Sequence, residues 1–159
     1  METTFWNNII MILQQPASAF TLLGLVLLLL GFLYIKKIVL DTRMIAHIGL
    51  MLALTVILHT FRLYHMPQGG SVTLGGMIPL LVIAFLHGPI VGYLAGFSYG
   101  LINLTQDPFI LHPIQVLFDY PLPYMALGLA GYFKDRILLG AFIGIFSRFI
   151  CHFISGAVF

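Results

Sequence analysis

The sequence predicts an all-α protein, a polytopic transmembrane bundle of about six membrane-embedded helices. Three observations carry that expectation. Hydrophobic residues fill 60% of the 159 positions and charged residues only 8%, where an ordinary soluble domain has roughly 25% charged residues to face water. Mean hydropathy is +1.06. The apolar positions also gather into runs divided by short polar connections, and a helix needs about 20 apolar residues to cross about 30 Å of hydrocarbon.

The elements follow in order along the chain. Residues 1–16 form a leader with one acid, Glu2, and neither Lys nor Arg. Ala17 to Ile35 is uncharged and leucine-rich. A cleaved signal peptide would need a basic start and a shorter apolar core, so this segment is expected to be a retained anchor or true span. Met44 to Leu63 is the second span, with Arg62 near its end. Leu74 to Leu86 is short, and His87-Gly88-Pro89 closes it with a turn. Ile90 to Leu104 follows, then a polar, proline-bearing loop through His112. Pro113 to Phe133 and Ile137 to Phe159 complete the set, so that residues 17–35 form an additional helix and 44–159 the main bundle.

Basic residues predict the orientation. Lys36, Lys37 and Arg43 flank one connection, and Lys134 and Arg136 lie in another. With alternating helices both connections fall on one side, which the positive-inside rule makes cytoplasmic. The N-terminus is then outside, in the membrane of a multi-pass protein. A formal charge of +2 is too small to suggest a nucleic-acid partner. Cys151 is the single cysteine, which excludes an intrachain disulfide framework and a cysteine-based zinc site.

Small residues mark the packing faces. Gly92, Gly96 and Gly100 recur every four residues, as do Gly140 and Gly144, and Gly49 with Ala53 forms another such pair. In lipid these faces let backbones approach closely. The first stripe is expected to pack inside the bundle. Gly49 and Ala53 suit either internal packing or a docking face for another subunit.

Polar residues at membrane depth carry the functional expectation, because a charge there costs at least about 2.5–3.5 kcal/mol on insertion scales and so faces a cavity or a partner. Asp119 lies about six residues, or roughly 9 Å, below the outer end of its helix. His152 reaches a similar depth on the last helix, with Arg148 one turn away on the same face. Asp119 and His152 are therefore expected to share an outward-facing pocket with the aromatic Phe118, Tyr120 and Tyr124. Pro121 and Pro123 follow the acid and remove amide donors, which predicts a broken helix of the kind that lines a substrate cavity in transporters. The alternative is a helix that starts at the prolines and leaves Asp119 as an N-cap in a surface loop. His47 and His59 lack the spacing of a ligand pair, and neither a metal site nor a catalytic nucleophile motif is visible.

The run Met66-Pro67-Gln68-Gly69-Gly70-Ser71-Val72, with Ile78-Pro79 after it, resembles the first outer loop of thiamine-specific S-components. These are the substrate-binding membrane subunits of energy-coupling factor (ECF) vitamin transporters. His112-Pro113-Ile114-Gln115 with Leu117-Phe118-Asp119-Tyr120 resembles their fourth helix. Arg148, His152 and the run Ile154-Ser155-Gly156-Ala157-Val158-Phe159 resemble their fifth. The resemblance implies a compact bundle that binds one thiamine near its outer face, with Asp119, Tyr120, His152, Tyr124 and the loop residues Gln68, Gly69 and Gly70 at the site. It also implies that Gly49 and Ala53 contact the transmembrane coupling subunit. ATP hydrolysis is then left to separate ATPase subunits, with no cofactor in this chain.

Two features depart from that pattern. The Ala17 to Ile35 helix has no counterpart in it, and the match stops at Phe159 within the fifth helix, so the bundle is expected to be incomplete at its C-terminal side. Thiamine suits the residues chemically, since a desolvated carboxylate pairs with its cationic ring and aromatic side chains stack on either ring. The same features would suit another cationic or aromatic vitamin. A membrane scaffold in which Asp119 and Arg148 pair internally is the reading from a different class.

Overall fold

In a computed structural model of the chain, the residues described are Gly24, Val26, Leu29 and Leu30, then 40–65, 71–73, 75–110 and 112–158. The leader 1–16, most of the Ala17 to Ile35 span, and the loop residues Gln68, Gly69 and Gly70 lie outside them. The four described positions of the first span are helical. Gly24 is buried, and a Cβ placed there would stand 3.1 Å from the Phe118 ring and 3.3 Å from Leu122.

Helix α1, Thr42–Thr60, starts where the Asp41 carboxylate accepts from the Thr42 amide. Its threonines turn their hydroxyls inward on the helix: Thr55 donates to the Met51 carbonyl at 2.8 Å and Thr60 to the Val56 carbonyl at 3.0 Å. Each hydroxyl thereby enters an apolar setting with its donor satisfied. The span expected to reach Leu63 ends sooner. Residues β1, Arg62–His65, and β2, Ser71–Thr73, form an antiparallel hairpin instead, the one exception to a helical architecture among the described residues.

Helix α2, Ile78–His87, is only 10 residues long, and Gly88 at φ +93 turns the chain directly into α3, Pro89–Gln106. Glycine tolerates that left-handed backbone and Pro89 fits the first helical turn. Next comes the span expected over Pro113 to Phe133, which is broken as the prolines predict. Its pieces are α4, Pro113–Asp119, then α5, Pro121–Ala126, then a 3-10 helix, Leu127–Phe133. Asp119 is the last residue of α4, so it is not an N-cap in a surface loop. Helix α6, Ile137–Val158, closes the described chain.

The broken span lies between α3 and α6, and glycines set both seams. Cβ atoms at Gly100, Gly96 and Gly92 would run into the backbone of Tyr120 and Pro121, of Tyr124, and of Gly128. On the opposite side, Gly144 meets Leu127 and Gly140 meets the Ala130 carbonyl at 2.9 Å. The segment thus runs antiparallel to each neighbour in a constant register. The stripe Gly92, Gly96 and Gly100 packs inside the bundle, as expected. Leu80, Ile83, Ala84, Tyr99, Leu127 and Ala130 fill the core around these seams.

The outside of the molecule is apolar. On α6, Leu138 is 88% exposed, and Phe142, Phe146, Phe149 and Phe153 form an exposed ladder of neighbouring rings. Water would not tolerate such a face, but acyl chains do. Among the described residues α1 and α6 are long and apolar enough to cross a membrane.

Candidate functional site

Asp119 and His152 meet, as their matched depths predict. His152 Nδ1 lies 3.3 Å from Asp119 Oδ1. A carboxylate only accepts, so Nδ1 carries the proton that His152 donates. The second oxygen accepts from Gln115 Nε2 at 2.7 Å. Two side-chain donors therefore hold one acid. Among the described residues, no Lys or Arg makes an ion pair with it.

Local sequence fixes each partner. Pro113 supplies the first helical turn of α4, and His112 caps it by accepting from the Ile114 amide at 3.3 Å. Gln115 completes the capping box, its Oε1 accepting from the His112 amide at 3.3 Å. One buried glutamine thus anchors the helix start at one end and the acid one turn later at the other. Ser155 follows His152 by three residues, which places both on the α6 face toward α4.

Tyr120 is buried but turned to a different task. Its hydroxyl donates to the Asp107 carbonyl and accepts from the Phe109 amide, both at 2.7 Å. It ties the α3–α4 loop down beside the acid. Asp107 is also gripped from the hairpin, where Arg62 Nη1 reaches its Oδ2 at 2.8 Å.

Tyr124 belongs to a neighbouring cluster. His59 Nδ1 donates to the Thr55 carbonyl at 3.1 Å, which leaves Nε2 to accept from the Tyr124 hydroxyl at 3.4 Å. Asn103 Nδ2 donates to the same hydroxyl at 3.1 Å. The Tyr99 ring meets Tyr124 edge-on at 4.7 Å, and the Arg148 guanidinium lies 4.2 Å over the Tyr124 ring. Asp119 and Arg148 are each engaged elsewhere, so the internal pair that a scaffold would use is not formed. His59 also lines an outer pocket of about 280 Å³ with Thr60, Arg62 and Gln106.

Gly49 and Ala53 lie on an exposed face of α1, and a Cβ at Gly49 would have no atom within 4 Å. Among the described residues they take no part in the internal packing. Sequence reasoning did not single out Gln115, Ser155, His59, Asn103 or Tyr99 as site residues. The spacing of four between Gln115 and Asp119 was the available signal for the first.

A half-buried carboxylate between helices of a lipid-facing bundle, paired with no Lys or Arg among the described residues, defines a helical membrane protein with a polar site among its helices. Comparison with known proteins gives that class a family. The family described as Thiamine transporter protein (Thia_YuaJ) matches residues 45–159, and the chain belongs to it. The chain is similar to the thiamine transporter ThiT of Bacillus subtilis, 36% identical over 111 residues that cover 59% of this chain and 57% of that one. It is also similar to the thiamine transporter ThiT of Lacticaseibacillus paracasei, 29% identical over 143 residues, 77% of this chain and 67% of that one. The chain thus spans between about half and two thirds of these relatives. No solved structure matches it significantly.

Proposed function

We propose that this chain binds thiamine at Asp119 and serves as the substrate-specific membrane subunit of an ECF-type transporter. The observation that carries this reading is the Asp119 carboxylate, held by Gln115 and His152 with no Lys or Arg paired to it among the described residues. Two donors occupy two of roughly four lone-pair sites on a carboxylate, so the acid is positioned in advance and no Lys or Arg matches its charge. A permanently cationic ring supplies that match. Family membership, and relatives that are thiamine transporters, support the same ligand.

In this reading a transmembrane coupling subunit docks on the open face around Gly49 and Ala53, and separate ATPase subunits hydrolyse ATP. The chain crosses the membrane several times with its N-terminus outside, and Gln68, Gly69 and Gly70 contribute to thiamine binding. The test is calorimetric titration of the full chain in detergent with thiamine, riboflavin, biotin and pantothenate. Saturable heat with thiamine alone is expected. Heat with none of them, in protein of unchanged elution profile, would overturn the reading.

A further inference from the structure

The break that carries Asp119 has little backbone to hold it. Pro121 and Pro123 bring no amide hydrogen, so the Leu117 and Asp119 carbonyls lose the donors that a continuous α-helix would give them. Helix α4 closes on the bond from the Tyr120 amide to the Val116 carbonyl at 3.0 Å. It has only 7 residues, about two turns, and helices shorter than about 12 residues are marginal without tertiary packing. The direction of α4, and with it the placement of Asp119 as its last residue, is therefore set by what its side chains touch.

Gly24 touches both sides of the break. A Cβ added there would stand 3.1 Å from Phe118 Cε2, 3.2 Å from its Cζ and 3.3 Å from Leu122 Cδ1. All three lie inside the ordinary carbon–carbon separation of about 3.5–4.0 Å. Phe118 precedes the acid in α4, and Leu122 lies in the first turn of α5. Their exposures are only 2% and 5%, so both side chains are fully enclosed where Gly24 meets them. Gly24 is helical and lies outside residues 45–159 that match the family. Among the described positions of that helix, Val26, Leu29 and Leu30 are exposed, so the buried glycine marks the face turned to the break. Gly100 grips the backbone of the break from α3, at Tyr120 and Pro121, while Gly24 lies against the side chains that flank it.

We propose that Gly24 is a positioning residue for the site: it splints the broken span from outside the family's segment, and the lack of a side chain there sets where Asp119 presents its charge. This rests on the reading of thiamine as a cationic ligand of Asp119. Binding groups need placement within about 0.5 Å, and a branched side chain at position 24 displaces Phe118 by more than that. The displacement passes to Asp119, the next residue on the same turn of a short helix. Gly24 itself holds no ligand and acts only through Phe118 and Leu122. The charged end of the ligand therefore reports its loss, and the neutral parts do not.

The experiment titrates the full chain in detergent with two ligands: thiamine, and the neutral isostere in which carbon replaces the thiazolium nitrogen to give a thiophene. Four proteins are compared: the parent, Gly24→Ala, Gly24→Leu and, at an exposed position two residues along, Val26→Leu. Gly24→Leu should weaken thiamine binding roughly 3- to 30-fold, a part of what a hydrogen bond to a charged group is worth. Gly24→Ala, which asks a few tenths of an ångström of the Phe118 ring, should weaken it roughly 2- to 5-fold. The smaller change decides the matter where the larger one prevents folding. The isostere should bind the parent and both Gly24 variants alike, and Val26→Leu should match the parent for both ligands. Unchanged thiamine affinity in both Gly24 variants overturns the splint and leaves thiamine binding standing. Equal losses for the two ligands, or an equal loss in Val26→Leu, also overturn it, because the helix would then serve the fold alone. A parent that binds no thiamine, or binds it no better than the isostere, overturns the reading of Asp119 and this inference together.

Discussion

Gln115 joins the start of α4 to its last residue: its oxygen accepts from the His112 amide while its nitrogen donates to Asp119 at 2.7 Å. The acid is therefore aimed by the same side chain that caps its helix.

Asp119→Asn is expected to weaken thiamine binding roughly 10- to 150-fold, the worth of a hydrogen bond to a charged group. His152→Ala should cost less, since the imidazole contributes one hydrogen bond to the acid and the carboxylate stays in place. Gln115→Leu strands the His112 amide and removes one donor from the acid, so a stability loss of about 1–3 kcal/mol is expected beside weaker binding. Calorimetry and thermal melts in detergent measure the three, with gel filtration as the check on folding. Full affinity in Asp119→Asn would make the acid a structural group.

Glycines that look alike in sequence should respond oppositely. A Cβ at Gly96 would enter the Tyr124 carbonyl, whereas one at Gly49 meets nothing within 4 Å. Gly96→Ala should therefore destabilise by about 1–3 kcal/mol through overpacking, and Gly49→Ala should leave the melting temperature unchanged. Equal shifts would show that the α3 seam is slack.

The open α1 face yields a transport prediction. Gly49→Trp and Ala53→Trp should abolish energised uptake in cells that supply the coupling and ATPase subunits, while purified protein keeps its thiamine affinity. Loss of binding as well would place these residues within the bundle.

Orientation can be read by labelling. Single cysteines at Tyr64 and Asp135, in a Cys151→Ser background, should differ in intact cells. The first should react with an impermeant maleimide and the second should be protected until the cells are opened. Identical labelling would contradict the assignment drawn from Lys36, Lys37, Arg43, Lys134 and Arg136.

At the opposite end of the bundle from the hairpin, His87 ends α2 with its Nε2 3.3 Å from His47 Nδ1. Partial burial, then the nearby His47 and Lys134, hold its pKa below the ordinary 6.5. The unfolded chain therefore binds this proton first, and stability falls as pH drops through about 6.5 toward the lower folded value. Melts between pH 7.5 and 5 should show this decline, and it should be shallower in His87→Gln. An identical slope in the variant would assign the effect to other groups.

The pairing of Asp119 with His152 was legible because both depths can be counted from helix ends, and the break at Tyr120 because Pro121 and Pro123 forbid continuity. The hairpin was not. Arg62 to His65 continues an apolar run, and nothing in its composition says that it pairs with Ser71–Thr73. The shift of Leu127–Phe133 to a 3-10 helix was equally hidden, since it accompanies the close approach of Gly128 to α3 and of Leu127 to α6. The Tyr124 cluster assembles His59, Tyr99, Asn103 and Arg148 from three other helices, and local spacing cannot report contacts made across that distance in the chain.

The grip of Arg62 on Asp107 has a consequence for how the rim responds to its surroundings. Asp107 is held at its side chain by the hairpin and at its carbonyl by Tyr120, so lifting the hairpin tugs on the residue next to the acid. That ion pair is about one third exposed on each side, within reach of dissolved ions, whose screening length is about 8 Å at physiological strength. The glycine seams below hold by close contact that salt does not touch. Electrolyte concentration is thus a control over the mouth of the molecule that leaves its frame unaltered.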